Sequence, residues 1–244
     1  MDSQKLSEIK NDPKKALDFA KSYKKEGKFE EALEMHEWYH FNVLSIKPSQ
    51  YGVRLSFALG HWMKLSEVYP KAKQRLIEIR DEGGHKIKSG DWKFEDFHEV
   101  VNISNYLKDS ETPIEVFKLI CVKEPDNEKV SKCFYFAFKL LVDKGEAELL
   151  RKYLGNPLRY VTKYFNDFKE NESSLKEHVR KMADAENKKD IIQEMEKSPK
   201  KIYINEISLL VQALKMLNRD KEIEEVYKAG KGIIPDVEYQ KIFE

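Results

Sequence analysis

Two histidines four residues apart, with a glutamate next to the first, form the arrangement in this sequence that most directly suggests chemistry. The segment reads His36-Glu37-Trp38-Tyr39-His40 and lies in a stretch predicted to be helical. Residues four apart share one face of a helix, so both imidazoles could bind one metal ion. The intervening glutamate would then act as the base that activates a metal-bound water. A zinc-dependent hydrolase, with ligands His36 and His40 and base Glu37, is therefore the alternative interpretation of this chain.

The surroundings of this motif favour a structural role for it. A longer form of the motif would need glycine and histidine where the chain has Val43 and Ile46. A third ligand would have to come from a later helix, with His61 or Glu67 as candidates, and no second motif marks one. Packing explains the same segment if His36 occupies an aromatic position in a pair of helices. We expect no catalytic residue, no resident metal and no cofactor.

The composition favours helix along the whole chain. Of 244 residues, 41% are hydrophobic and 36% are charged, whereas only 10 are glycine and 8 are proline. Long charged side chains lose little rotamer freedom in a helix, so this mixture favours helix over strand. A chain of this length and apolar content can also bury a sizeable core. The sequence predicts an all-α protein with almost no strand.

The charges of the chain are balanced. Lys and Arg number 44 against 43 Asp and Glu, which gives a formal net charge of +1. The two signs alternate along most of the sequence instead of forming blocks. Because proteins that bind nucleic acid usually carry a basic patch or stripe, this balance disfavours a nucleic-acid partner and leaves RNA binding as the weakest hypothesis.

The two cysteines and the hydropathy pattern indicate where in the cell the protein is expected. Cys121 and Cys133 lie in apolar helical contexts with no second pair beside them, so we expect buried free thiols. The first residues lack the apolar core of a signal peptide, and no apolar run approaches the roughly 18 residues of a membrane span. The sequence predicts a cytoplasmic protein without a membrane partner.

Proline and glycine mark the predicted helix ends. Proline is tolerated in the first turn of a helix and breaks its interior, so each of the eight prolines, Pro199 included, is assigned to a joint. Thr112-Pro113 reads as an N-cap followed by proline at the first helical position. Gly145 ends one apolar-periodic helix, and a second short helix follows at once. Such pairs of helices joined by a tight turn recur along the chain.

The first pair carries a family resemblance. Its turn contains Gly27, and its packing residues follow one another at characteristic offsets: Phe19, Ala20, Tyr23, Phe29, Glu30, Glu31, Ala32 and His36. This order of large, small and aromatic residues resembles the tetratricopeptide repeat. Units near Phe97 to Pro125 and Ser131 to Pro157 begin about 34 residues apart, as in that family. The late Pro48 predicts that the second helix of the first unit is extended.

The resemblance implies a right-handed α-solenoid of antiparallel helical hairpins. In that family the concave groove binds a peptide or protein partner, so we expect a non-enzymatic scaffold. The glycine-rich stretch from Glu82 to Gly90 is predicted to be an exposed connector. It would divide the hairpins of residues 1–82 from those of residues 91–244, both within one solenoid. The stretch from Leu158 to Lys197 is left open between a regular repeat and two irregular helices.

The candidate binding surface comes from unusual side chains between positions 36 and 62. They are His36, Trp38, His40, Tyr51, Arg54 and Trp62. Tryptophan and arginine are frequent anchors of protein interfaces, and Arg54 could reach a carboxylate at the edge of a groove. The alternative is that the aromatic residues belong to the core and Arg54 is a surface ion-pair partner. The partner itself is not identified by the sequence.

Overall fold

The computed structural model describes residues 3–125, 128–182 and 189–244, and these ranges are almost entirely helical. No strand occurs within them. This confirms the all-α prediction and agrees with the scarcity of glycine and proline. Residues 183–188, part of the stretch left open by the sequence, lie outside the described residues.

The helices follow one another with short connections. In chain order they are α1 (Ser3–Asn11), α2 (Lys14–Lys25), α3 (Phe29–Ile46), α4 (Tyr51–Val53), α5 (Leu59–Ser66), α6 (Pro70–Ser89), α7 (Phe94–Leu107), α8 (Glu111–Lys123), α9 (Glu128–Asp143), α10 (Ala147–Tyr153), α11 (Leu158–Met182), α12 (Lys189–Met216), α13 (Asp220–Gly230) and α14 (Asp236–Gln240). A 3₁₀ turn, Pro48–Gln50, precedes α4, and a π-helical turn, Arg54–Ala58, joins α4 to α5.

Several predicted turns are confirmed. Helices α2 and α3 pack together across a turn in which Gly27 has φ +75°. The extended second helix is also confirmed, since α3 runs for 18 residues. Pro70 begins α6, and Gly145 separates α9 from α10 with φ +73°. Glycine occupies such positions because it alone adopts this backbone conformation without strain from a Cβ atom.

The chain divides into two compact units, residues 1–137 and 138–244. In the first unit, a large apolar cluster surrounds Trp62, whose indole Nε1 donates to the Ala72 carbonyl oxygen at 3.0 Å. Its buried members are Ala32, Leu33, Leu55, Leu59, Trp62, Leu65, Ala72, Leu76, Ile79 and Ile103. A smaller cluster of the same unit includes Ile9, Ala16, Tyr39 and Val43.

The second unit is built around contacts among α11, α12 and α13. Tyr203 and Tyr239 are fully buried there, and the Tyr239 hydroxyl donates to the Val226 carbonyl oxygen at 2.9 Å. Gly230 makes room for both rings, because a Cβ atom at this position would lie 2.2 Å from the Tyr239 hydroxyl oxygen. Any larger residue at position 230 would therefore displace a buried tyrosine.

The prediction that the glycine-rich stretch from Glu82 to Gly90 forms an exposed connector is wrong. Helix α6 continues through Gly83 and Gly84 and ends at Gly90, which has φ +90°. Gly83 allows close packing of α7, and neither glycine interrupts the helix. The division between compact units correspondingly falls after Ala137, and no helix break separates residues 1–82 from the following helices.

Two proline assignments also need correction. Pro199 lies inside α12 and does not mark a joint. Helix α8 begins at Glu111, before Thr112, because the Asp109 carboxylate accepts hydrogen bonds from the backbone amides of both residues. Asp109 therefore performs the capping role that the sequence assigned to Thr112.

Both cysteines are buried and free, as predicted. Burial raises the pKa of the Cys133 thiol to about 12, so this thiol stays protonated at neutral pH. In the described part of the chain, no helix combines the length and the apolar character needed to cross a lipid bilayer.

Helix α7 packs closely against α6 at Gly83. A Cβ atom there would lie 3.0 Å from Val100 Cγ2. A Cβ atom on Gly84 would meet nothing closer than Val116 Cγ2, at 3.8 Å. We predict that Gly83→Leu lowers the free energy of unfolding by about 1–3 kcal/mol, because overpacking forces neighbouring atoms to move. The control, Gly84→Ala, should raise it by about 0.5–1 kcal/mol, because alanine is the better helix former.

Urea denaturation of both variants measures these changes in unfolding free energy. Equal effects of the two substitutions would contradict the close approach of α7 to Gly83.

Candidate functional site

The π-helical turn at Arg54–Ala58 gives the first unit its most unusual local structure. A π-turn is wider than an α-helical turn, so it changes which side chains share a face. Arg54 and Ala58 are buried, whereas Phe57 is 72% exposed. The Tyr106 hydroxyl of α7 donates to the Ser56 carbonyl oxygen at 2.7 Å. Helix α7 thus contributes a hydrogen bond to the backbone of this irregular turn.

A buried ion cluster connects the π-turn to two other helices. Arg54 Nη1 donates a short hydrogen bond to Glu99 Oε1 of α7. His40 Nε2 of α3 lies 2.9 Å from the same oxygen. Side-chain exposure is 9% for Arg54, 2% for His40 and 15% for Glu99, so little water competes for these contacts. A charged hydrogen bond in such surroundings is stronger than at the surface.

The geometry assigns the proton on the His40 ring. A nitrogen 2.9 Å from a carboxylate oxygen must donate, so Nε2 carries a hydrogen. Arg54 Nη1 and His40 Nε2 are 3.1 Å apart because they are two donors sharing one acceptor. Burial alone would raise the pKa of Glu99, but the hydrogen bonds and charges of His40 and Arg54 outweigh it and lower that pKa. Glu99 is therefore an anion at neutral pH.

Beside this cluster, four half-buried rings form what we call the aromatic row: Tyr51, Phe94, His98 and Phe136. The Tyr51 hydroxyl lies 2.8 Å from His98 Nδ1, and the two rings are 5.6 Å apart. The His98 and Phe136 ring centroids are 4.0 Å apart, and Phe94 lies 5.4 Å from Phe136. The row thus links α4, α7 and α9.

The aromatic row carries no charge at neutral pH. Burial, assisted by the charge of Arg54, lowers the pKa of His98 to about 4. Burial also raises the pKa of Tyr51 to about 12, with a contribution from Glu95. The guanidinium carbon of Arg54 lies 5.8 Å from the Tyr51 ring centroid, within the range of a cation–π contact. The row is therefore a neutral strip with the ion cluster at one end.

Four of the six predicted binding residues are buried. His36, His40, Arg54 and Trp62 are each less than a tenth exposed, and Trp62 belongs to the apolar cluster described above. Trp38 and Tyr51 are half-buried. Trp38 packs against the smaller apolar cluster, whereas Tyr51 belongs to the aromatic row. Of the six, Tyr51, Arg54 and His40 are brought together around Glu99 and His98.

The two motif histidines pack around one tryptophan. The His36 ring stacks on Trp62 with centroids 5.6 Å apart, and the His40 ring meets the same indole edge-on at 5.8 Å. Burial, followed by the nearby His61 and lysine charges, lowers the pKa of His36 to about 3. The His36 ring is therefore neutral, and its buried Nδ1 finds no hydrogen-bond partner among the described residues.

The glutamate of the motif has a different partner. Glu37 Oε1 accepts a hydrogen bond from Arg75 Nε of α6 at 2.6 Å. Within the described residues, no three His, Cys, Asp or Glu side chains are grouped to hold a metal ion. The side chains proposed for the zinc-dependent hydrolase thus have roles in packing and ion pairing within the chain.

The sequence interpretation missed Glu99, Phe94, His98 and Phe136. A signal for two of them was present, because Phe94 and His98 lie four apart and must share a face of α7. Nothing in the sequence indicated that this face meets Tyr51, which lies 47 residues before His98. The pairing of Glu99 with Arg54 was equally hidden, since 45 residues separate them.

A shallow cleft of about 370 Å³ lies between α6 and α8. Its walls include Arg80, His85, Lys88 and Glu115. Arg80 is engaged by Asp109, with Nη1 and Oδ2 2.7 Å apart, and also pairs with Asp81. The charge of Arg80 therefore connects α6 with the turn that precedes α8.

Comparison with protein-family models, curated proteins and solved structures found no match for this chain. The arrangement of its own residues carries the functional argument.

The ion cluster makes a testable contribution to stability. We predict that Glu99→Gln lowers the free energy of unfolding at pH 7 by about 3 kcal/mol, because it leaves Arg54 buried without a counter-charge. The matched control is Glu78→Gln, which removes an exposed partner of Arg75 and should cost less than about 1 kcal/mol. Urea denaturation measures both. Equal costs would show that the cluster is not a buried ion pair.

We also predict that the effect of Glu99→Gln on the free energy of unfolding depends on pH. The pKa of Glu99 is lowered from its ordinary value of 4.5. Its contribution to stability is therefore complete above that value and is lost as pH falls through the lowered pKa. The difference in unfolding free energy between wild type and Glu99→Gln should shrink in acid. A difference that stays constant from pH 7 to pH 3 would contradict this assignment.

Because the motif residues already contact other side chains of the chain, we predict that they bind little metal. Elemental analysis of protein purified without chelator, with any affinity tag removed, should find far less than one zinc per chain. His36 is stacked on Trp62, and Glu37 and His40 already have charged partners. Close to one zinc per chain in the wild type, absent from His40→Ala, would instead support the hydrolase alternative. Loss of a measured activity in a metal-retaining Glu37→Gln variant would then identify the base.

Proposed function

We propose that this chain is a non-enzymatic helical-repeat scaffold that binds a peptide or protein segment along its aromatic row. The observation that carries the proposal is the continuity of that row across α4, α7 and α9. We further propose that the helix pairs form a right-handed α-solenoid of antiparallel hairpins, similar to tetratricopeptide repeats. The opening helices of the pairs would then line the concave groove.

The chemistry of the row suits a peptide. Half-buried tyrosine, histidine and phenylalanine rings offer apolar contact area together with hydrogen-bonding edges, and they lose little conformational entropy on binding. Their mutual contacts, such as the 4.0 Å between His98 and Phe136, hold the rings in place before a partner arrives. A preorganised surface binds more tightly because less ordering is required.

The ion cluster adjoins the row at Tyr51 and can hold that end of it in place. Arg54 contacts the Tyr51 ring and pairs with Glu99, which lies one residue after His98. The cluster therefore fixes α4 and α7 in the register that brings Tyr51 to His98. This supporting role agrees with the burial of Arg54 and His40, which the sequence had suggested as direct binding residues.

Enzymatic function is not part of the proposal. The residues of the zinc-hydrolase alternative have packing or ion-pair partners within the chain, which supports a structural role for them. We propose a cytoplasmic location, because buried free thiols such as Cys121 and Cys133 are typical of reducing compartments. No cofactor is invoked.

Selection of peptides tests the scaffold. A random peptide library displayed on phage would be panned on the immobilised wild-type chain, and the Kd of enriched peptides measured in solution. We predict that Phe136→Ala weakens these peptides about tenfold, because truncating an aromatic anchor typically costs more than 1 kcal/mol.

The matched control is Phe41→Ala, which removes an aromatic ring from α3, outside the row, where Phe41 is 53% exposed. It should leave the Kd unchanged. Thermal unfolding of both variants checks that the fold is intact. Failure to enrich any peptide, or equal weakening by both substitutions, would overturn the proposed function.

A further inference from the structure

A basic corner, defined by Lys21 and Lys24 of α2 and by His61 and Lys64 of α5, lies in the first unit. Lys24 Nζ donates to the Lys64 carbonyl oxygen at 2.6 Å, so the last turns of α2 and α5 meet there. Lys21 and Lys64 are exposed, and Lys24 and His61 are half-buried. Three ammonium groups and an imidazole are thus gathered on two opening helices of successive pairs.

Within the described residues, the ion pairs of the basic corner are fewer than its lysines. One of them, Lys21, has Asp18 Oδ1 3.8 Å from its Nζ at an exposed position. Lys24 and Lys64 have no ion-pair partner among the described residues, unlike Lys28 and Lys71, which pair with glutamates. In a chain with net charge +1, this is a local excess of positive charge.

The pKa of His61 reflects its burial and this excess of positive charge. Burial lowers its pKa, and the charges of Lys21, Lys64 and Lys24 lower it further, against a smaller opposing effect of Asp18. The imidazole is therefore neutral at pH 7 and available as a hydrogen-bond donor or acceptor. A negatively charged group at the corner would offset the mutual repulsion of the lysines.

We propose that the basic corner binds an acidic segment, a short run of Asp and Glu side chains, in a protein partner of the scaffold. This inference rests on the proposed function and names the charge of one part of the partner. Charge complementarity supports it: the exposed ammonium groups of Lys21 and Lys64 can meet carboxylates without a fixed geometry, and Lys24 adds its charge beside them.

The small number of positive side chains in the basic corner favours an acidic protein segment over a nucleic acid. Binding to a nucleic-acid backbone usually involves many phosphate contacts from lysine and arginine. The corner has three lysines and no arginine, in a chain whose charges otherwise balance.

The preference for lysine at the C-terminal ends of helices accounts for only part of the basic corner. Lys24 and Lys64 lie in last turns, where they offset the helix dipoles, but Lys21 and His61 lie earlier in their helices.

The test uses a fluorescein-labelled peptide of alternating Asp and Glu with both ends capped, so that only side-chain carboxylates are presented. Fluorescence polarisation with the full chain should show saturable binding at low salt that weakens as salt is added. The double variant Lys21→Ala, Lys64→Ala should raise the Kd about tenfold. The control Lys73→Ala, Lys221→Ala removes two exposed lysines from α6 and α13 and should leave the Kd unchanged.

Binding at the corner should also shift the NMR resonance of the His61 ring saturably with peptide concentration. Equal weakening by the two double variants would overturn the inference, because it would indicate general charge attraction. Tighter binding of a labelled single-stranded oligouridylate, with the same dependence on Lys21 and Lys64, would identify a nucleic-acid surface instead. Displacement of the peptide by millimolar inorganic phosphate would identify a single-anion site.

A lower melting temperature of the Lys21→Ala, Lys64→Ala variant with unchanged peptide binding would show that these lysines only stabilise helices. If the acidic peptide does not bind while phage-selected peptides still bind along the aromatic row, this inference alone is overturned. If neither kind of peptide binds, the scaffold proposal is overturned as well.

Discussion

The first unit depends on the requirement that a buried charge have a partner. Arg54 enters the interior at the π-turn, and Glu99, 45 residues later, supplies the matching carboxylate. Such a pair contributes less to stability than its geometry suggests, because desolvation offsets the attraction. Its larger effect is on register, since sliding α7 along the π-turn would leave both charges unpaired. His40 extends the same constraint to α3 by donating to the shared carboxylate oxygen.

The π-turn and the ion cluster depend on each other. In a regular α-helix, residues three and four apart share a face, so Arg54, Phe57 and Ala58 would lie together. The wider turn keeps Arg54 and Ala58 buried and turns Phe57 to the solvent. Irregular backbone persists where the surroundings hold it, and the Tyr106 hydrogen bond to Ser56 and the Arg54 ion pair both do so. Local irregularity thus places Tyr51 and Arg54 next to α7.

Local signals made the helices predictable, and long-range contacts explain the failures. Gly27 and Gly145 ended helices as expected, because their backbone conformation is set by the turn itself. Gly83 resembled a helix break, yet it lies within α6, since the approach of Val100 from α7 requires a residue without a side chain. The burial of Arg54 and the meeting of Tyr51 with His98 could not be read from the sequence, because neither depends on neighbours in the chain.

The segment from His36 to His40 shows that one spacing on a helix is compatible with packing as well as with metal binding. Four-residue spacing places His36 and His40 on one face, which is what a metal ion would need and also what a core needs. Here that face meets Trp62, with one imidazole stacked on the indole and the other edge-on to it. Burial lowers the pKa of His36 and leaves its ring neutral, and Glu99 accepts a hydrogen bond from His40 Nε2. In this structure the shared face of the two histidines packs on Trp62.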